Sequence, residues 1–297
     1  MPGPLLLLPD FLLILIGWTV CRYTALDRPV WEAAERLVYW LLFPVLLFNS
    51  TLKGGFDPAE TMSLAGAAVA TMLCGIALAF ALIRWPGVDA GLHAAGAQVA
   101  FRFNSFIGLA LAERLAGQAG VARMALIVAL CVPLGNVAAV WSLARHGGHA
   151  WGRELLRNPL IVSIVAGLVC HAAGLQLPDA VSTTLQRIGL AALPVGLMAV
   201  GAGLRLGPVR AAPGLAAALL VLRHLVLPAI ALGFVAWFAL PADQRALVIL
   251  FAALPTSAST YVLAARMGPH GGFVAGLVTL STLLGMISVP AWLALAR

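Results

Sequence analysis

Residues 247–266 read LVILFAALPTSASTYVLAAR and residues 93–114 read HAAGAQVAFRFNSFIGLALAER. Each is about one bilayer crossing long and apolar towards its ends. The middle of the first holds Thr256, Ser257, Ser259 and Thr260 behind Pro255; the middle of the second holds Gln98, Arg102, Asn104 and Ser105. Proline lacks an N–H and its ring displaces the carbonyl one turn back, so 247–266 is predicted to kink or break at 253–255. Backbone groups freed at that depth are tolerated only beside protein or a cavity. Paired interruptions of this kind are the best pointer in a sequence to a transporter's binding site.

The rest of the chain is consistent with a bilayer protein. Of 297 residues, 62% are apolar and 10% charged, and mean hydropathy is +1.01, whereas a soluble domain carries about 25% charged residues. Soluble enzyme, disordered chain, collagen and disulfide scaffold are excluded. Charge-free runs such as Thr61–Ile83, Met124–Ala144 and Phe273–Ala296 are too long for barrel strands of about 10 residues, so the spans are helical. The net charge of +7 is explained by headgroup contact and the positive-inside rule, with no nucleic acid partner. Cys21, Cys74, Cys131 and Cys170 fall inside apolar runs without CxxC spacing and read as core residues. No cofactor is implied. Leu5–Cys21 has no basic residue before it and Arg22 and Arg28 after it, the reverse of a cleavable signal peptide, so a first span is expected there.

Ten spans are expected, at 5–21, 33–52, 61–83, 91–113, 122–144, 158–175, 182–204, 212–238, 245–266 and 273–295. A shift of 150 residues (159 − 9) lays Pro9 on Pro159, Ile14 on Ile164, Gly17 on Gly167, Pro44-Val45 on Pro194-Val195, and Leu134-Gly135 on Leu284-Gly285. This divides the chain into a first five-helix repeat (1–145), a cytoplasmic linker (146–157) and a second repeat (158–297). An odd number of spans per repeat inverts the second relative to the first, as in secondary transporters. Ten loop-side basic residues face away from the N-terminus against six on its own side, which puts both termini on the non-cytoplasmic side.

Arg102, near the centre of span four, costs about 2.5–3.5 kcal/mol on the insertion scale. Either it holds an anionic substrate with help from Asn104 and Ser105, or it is a structural arginine bonded to the carbonyls of a broken helix. Arg223-His224 in span eight is either a second anion contact or proton site, or a buried polar pair satisfied by its neighbours. Asn136 follows Gly135 in mid-span and reads as cavity-lining or as an interhelical hydrogen bonder. His146 and His149 beside Gly147-Gly148 read as a solvated loop rather than a metal site. No Asp or Glu lies at the centre of a span, which weakens sodium or carboxylate-relay coupling. A membrane-embedded enzyme would need an HExxH, an intramembrane Asp pair or a Ser/His dyad, and none stands at such spacing.

Five stretches in order, ERLVYWLLFPVLLFNSTLKG (35–54), FNSFIGLAL (103–111), NPLIVSIVAGL (158–168), LAALPVGLMAVGAGL (190–204) and ALPTSASTYVLAARMG (253–268), together resemble the auxin efflux carrier family. That family includes bacterial malonate-type transporters and, more distantly, the plant PIN carriers. The resemblance implies ten helices in a 5+5 inverted repeat like that of bile-acid symporters, with helices 4 and 9 broken and crossing. It implies a scaffold and homodimer interface from helices 1, 2, 6 and 7, and a moving transport unit from helices 3–5 and 8–10. Carried over, Asn104 and Ser105 match the polar pair of the first crossover, Pro255 the proline of the second, and Asn136 a substrate-facing amide; Gly108 and Pro255 are the expected hinges. Many relatives place a proline in the first crossover, where this chain has Phe103 and Ala110, so a shallower break is expected there. Arg102 looks more like the malonate-type branch than the plant carriers. The expected protein is thus an inner-membrane carrier of small carboxylates working by an elevator movement, its site lined by Arg102, Asn104, Ser105, Asn136, Thr256 and Ser257. The alternative is a sodium-coupled symporter of the bile-acid type.

Overall fold

The structure, a computed structural model, describes residues 8–53, 58–143, 159–205, 209–267 and 270–295. The expected linker 146–157, with His146 and His149, lies outside the described residues. Among the described residues every regular element is helical: α1 (Leu8–Tyr23), α2 (Arg28–Leu37), a π-turn (Val38–Leu42), α3 (Phe43–Lys53), α4 (Pro58–Ala81), α5 (Ala90–Gly96), α6 (Gln98–Phe101), α7 (Ser105–Leu143), α8 (Pro159–Ala172), α9 (Asp179–Ala202), α10 (Pro213–Val221), a second π-turn (Leu222–Val226), α11 (Leu227–Trp237), α12 (Ala242–Ala253), α13 (Ser259–Met267) and α14 (Gly271–Leu295). Among the described residues five helical stretches are long and apolar enough to cross a membrane: Met62–Arg84, Ala90–Leu143, Asp179–Ala202, Pro213–Trp237 and Gly271–Leu295. The chain is a multi-pass membrane protein.

Local chemistry sets several boundaries. Asp89 caps α5, its carboxylate accepting from the Leu92 N–H at 2.7 Å, which satisfies one of the free donors of a first turn. The helix α7 turns sharply at Ala116–Gly117, where Gly117 has φ +57°, a left-handed conformation that glycine adopts without Cβ strain. A connection of several residues was expected between spans four and five, and these two residues replace it. Both π-turns end two residues before a proline, Pro44 and Pro228. Each proline removes the donor for the carbonyl four residues earlier, and a widened turn accommodates the mismatch. At Pro228 the orphaned carbonyl is that of His224, and the Trp292 indole N–H donates to it at 2.7 Å.

The chain forms two compact units. The first comprises the described parts of Met1–Pro58, Phe106–Ala129 and Ala150–Gly203. In it α1 packs on α9 and α3 on α8 through glycine contacts. A Cβ on Gly17 would run into the Met198 backbone, and one on Gly167 would meet Thr51 Oγ1 and the Phe48 carbonyl. These two close approaches are related by the same 150-residue shift (167 − 17 and 198 − 48). Small residues at such crossings let backbones come close where lipid offers no hydrophobic driving force. Asp10, 5% exposed, accepts from Arg114 Nε at 3.1 Å, so the acid inside span one is paired rather than left alone in apolar surroundings.

The second unit comprises the described parts of Ala59–Ser105, Leu130–His149 and Leu204–Arg297. Its core includes Phe101, Phe103 and Phe251, with Phe103 edge-on to Phe251 at 4.8 Å between ring centres. The hydrogen bonds around Arg102, Pro255 and Arg223 described in the next section lie within this unit.

Candidate functional site

Both polar-centred stretches are interrupted helices, and their interruptions meet. The first runs helically to Phe101, is non-helical over Arg102–Asn104 (Arg102 extended, ψ 137°) and restarts at Ser105. The second ends at Ala253, becomes extended at Leu254 (ψ 143°) and restarts at Ser259. The Asn104 N–H donates to the Pro255 carbonyl at 2.9 Å, and Thr256 Oγ1 donates to the Arg102 carbonyl at 2.9 Å. The Thr256 N–H donates to Ser281 Oγ at 2.9 Å. The shallower break expected from the missing proline is therefore corrected: the first helix is fully interrupted. Two backbone groups freed by the interruption, the Asn104 N–H and the Arg102 carbonyl, find partners on 255–256. Gly108, expected as a hinge, lies inside the helix that Ser105 opens, and the interruption falls on 102–104 instead. Pro255 is inside its interruption.

A glycine backs each crossing segment. A Cβ on Gly135 would sit 3.7 Å from Arg102 Cγ and 2.7 Å from Met72 Cε; one on Gly285 would sit 3.2 Å from the Pro255 ring. These glycines are again 150 residues apart (285 − 135).

The Arg102 guanidinium is partly exposed. Nη1 donates to Gln98 Oε1 at 3.0 Å and to the Ser259 carbonyl at 3.4 Å; Nη2 donates to Asn136 Oδ1 at 3.0 Å and Ser259 Oγ at 2.9 Å. Ser257 Oγ lies 2.8 Å from Ser259 Oγ. Every one of these acceptors is neutral. Ion pairs among the described residues include Arg28 with Glu32 and Glu35, and Arg114 with Asp10, none of which involves Arg102. Arg102 is thus a cation without a carboxylate partner among them. Helices of 9 residues or more begin at Ser105 and Ser259 beside it, and their N-terminal ends add positive partial charge.

Of the six residues expected to line a site, Arg102, Asn136 and Ser257 come together around this guanidinium, and Ser105 opens the adjoining helix, half-buried. Thr256 and Asn104 are 0% and 3% exposed, and the bonds from Thr256 Oγ1 to the Arg102 carbonyl and from the Asn104 N–H to the Pro255 carbonyl hold the two interruptions together. Gln98 and Ser259, both within the quoted stretches, also bond the guanidinium without being among the expected site residues; for Gln98 the signal is its place four positions before Arg102, one helical turn away.

Arg223 takes the structural role considered for Arg102. It is 1% exposed, with Nε donating to the Leu254 carbonyl at 2.5 Å, Nη2 to Phe251 at 3.1 Å and Nη1 to Ala100 at 3.5 Å. His224, 4% exposed, has Nδ1 2.8 Å from Ser288 Oγ and Nε2 2.9 Å from Ser281 Oγ. Ser281 therefore connects the histidine to the crossing through Thr256; nothing in the single sequence singled it out.

Helices interrupted by polar, extended segments that bond to each other, in a charge-poor helical chain, are the architecture of a membrane transporter. The chain belongs to the membrane transport protein family, whose model matches residues 145–293. No curated protein matches it. The matched range includes Arg223, Pro255, Thr256 and Ser257, whereas Arg102 and Asn136 precede it.

Proposed function

We propose that this protein is a secondary transporter of small organic anions, carboxylates such as malonate or an auxin-like acid. The reading is carried by one observation: a partly exposed guanidinium in mid-chain apolar surroundings, held by four bonds to neutral acceptors only. Neutral acceptors orient a cation without discharging it, so the compensation expected for a deep arginine is left to a ligand. Each helix N-terminus contributes about half a positive charge. With the two starting at Ser105 and Ser259, the locus offers about two positive charges, a match for a dicarboxylate.

The repeat-related glycine contacts support ten helices in two inverted repeats, with helices 4 and 9 crossing. On this reading helices 1, 2, 6 and 7 form a scaffold through which two copies pair, and helices 3–5 and 8–10 carry the substrate in an elevator movement. On the same reading the protein sits in a bacterial inner membrane with both termini on the non-cytoplasmic side, which the resemblance to malonate-type carriers and the loop charges support.

The test is uptake of labelled malonate into proteoliposomes. Arg102→Ala removes hydrogen bonds to a charged group, each worth about 1.5–3 kcal/mol, and is expected to lower uptake by about a hundredfold with protein yield intact. Arg102→Lys keeps the charge but loses the planar fork, and falls between the two. Unchanged uptake in Arg102→Ala sinks the anion role.

A further inference from the structure

We propose that Arg223 is a resident cation of the crossing: its guanidinium occupies the carbonyl-lined position where a coupling sodium would have to bind, and so makes transport independent of sodium. The inference deepens the transport reading above and rests on it for its uptake measurement alone.

Helix α6 closes the first half-helix at Phe101, and α12 closes the second at Ala253. The C-terminal ends of both therefore converge on the crossing, each carrying about half a negative charge and unpaired carbonyls. Cation sites in discontinuous transporter helices are made from such ends and unwound carbonyls. Here one side chain reaches both ends, bonding Leu254 and Phe251 on the second and Ala100 on the first. A single positive charge balances two half-charges. Its three nitrogens donate to carbonyls rather than to a carboxylate, as a metal ion's ligands would be arranged, and it is 1% exposed. The neighbouring π-turn explains how the side chain gets there: the widened turn Leu222–Val226 buries consecutive residues, Arg223 and His224, and the His224 carbonyl that Pro228 orphans is recovered by Trp292. The two arginines thus divide the crossing. Arg223 closes the negative ends, and Arg102 stands at the positive ends, partly exposed. Arg223 is a positioning residue, acting on substrate only through the half-helices it joins.

The experiment uses the purified full chain. With wild type in proteoliposomes, malonate uptake is expected to stay within about twofold when sodium is replaced by choline on both sides; a loss of about tenfold overturns the proposal. Absence of any malonate uptake would count against the transport reading, and leaves the stability measurements to decide this one. Arg223→Ala is expected to lower Tm, with millimolar guanidinium restoring at least half of the loss and equal urea restoring none, and neither shifting wild type. Equal effects of guanidinium and urea on Arg223→Ala overturn the resident-cation assignment, since a purely space-filling role gives no preference for charge. Should Arg223→Ala fail to yield folded protein, Arg223→Lys and Arg223→Met, which differ in charge at similar length, replace it. The lysine variant is expected to be clearly the more stable, and a methionine variant of equal Tm overturns the proposal.

Discussion

Arg102 and Arg223 share a residue type and a depth in the chain, yet their partners give them opposite tasks. Arg223 bonds only to backbone carbonyls and is sealed from solvent; three of the four bonds of Arg102 go to side chains, the amides of Gln98 and Asn136 and the Ser259 hydroxyl, which are free to yield to a ligand, and part of it is exposed. This contrast gives a charge test at a single atom. Asn136 Oδ1 lies 3.0 Å from Arg102 Nη2, so Asn136→Asp places a carboxylate where the neutral amide oxygen stood. Unit charges near 4 Å attract by about 4 kcal/mol at an effective dielectric of 20. The built-in counter-ion is expected to reduce malonate uptake about tenfold or more, while Tm stays level or rises. Uptake equal to wild type would mean that the guanidinium's free charge is not what draws the anion. At this scale the sequence identified Arg102 as a deep charge and left two roles open. It could not assign them between two arginines, because the deciding partners, Leu254, Phe251 and Ser259, are brought near by tertiary folding.

At the scale of elements, the interruption at Pro255 was legible because proline acts on its own helix. The interruption at Arg102–Asn104 was underestimated, because its cause is the partner segment: Asn104 N–H and the Arg102 carbonyl are satisfied across the crossing. Glycines show the same division between local and tertiary causes. Gly17 and Gly233 both lie inside helices, but a Cβ on Gly17 collides with the Met198 backbone whereas one on Gly233 meets nothing within 4 Å. Gly17→Ala is therefore expected to cost about 1–3 kcal/mol, since α1 and α9 must separate to admit it. Gly233→Ala is expected to gain roughly 0.5–1 kcal/mol from reduced backbone freedom in the unfolded chain. Unfolding in detergent micelles, followed by helical signal, measures both. Equal effects would mean that the α1–α9 contact is looser than the structure shows.

For the whole molecule, low charge content and charge-free runs made an all-helical membrane protein legible from composition alone, and the 150-residue shift pointed to a duplication. The division into two units was beyond composition or periodicity, since each unit gathers segments from distant parts of the chain. An elevator movement of helices 3–5 and 8–10 against helices 1, 2, 6 and 7 requires each group of helices to keep its internal geometry while the distance between the groups changes. Spin labels test this without any assumption about where the units sit. Leu12 and Val181 are exposed positions in the first unit, and Trp237 is exposed in the second; labels there, with the native cysteines replaced, give one pair within a unit and one pair between units. Bound malonate stabilises whichever state holds it better and so shifts populations by its differential affinity. The Leu12–Val181 distance distribution is expected to stay fixed when malonate is added, while the Leu12–Trp237 distribution changes its weights between two maxima. Movement of both distributions would indicate deformation within the first unit. A fixed Leu12–Trp237 distribution, with malonate binding verified by a rise in Tm, would exclude the elevator and leave gating confined to the crossing of the two interrupted helices.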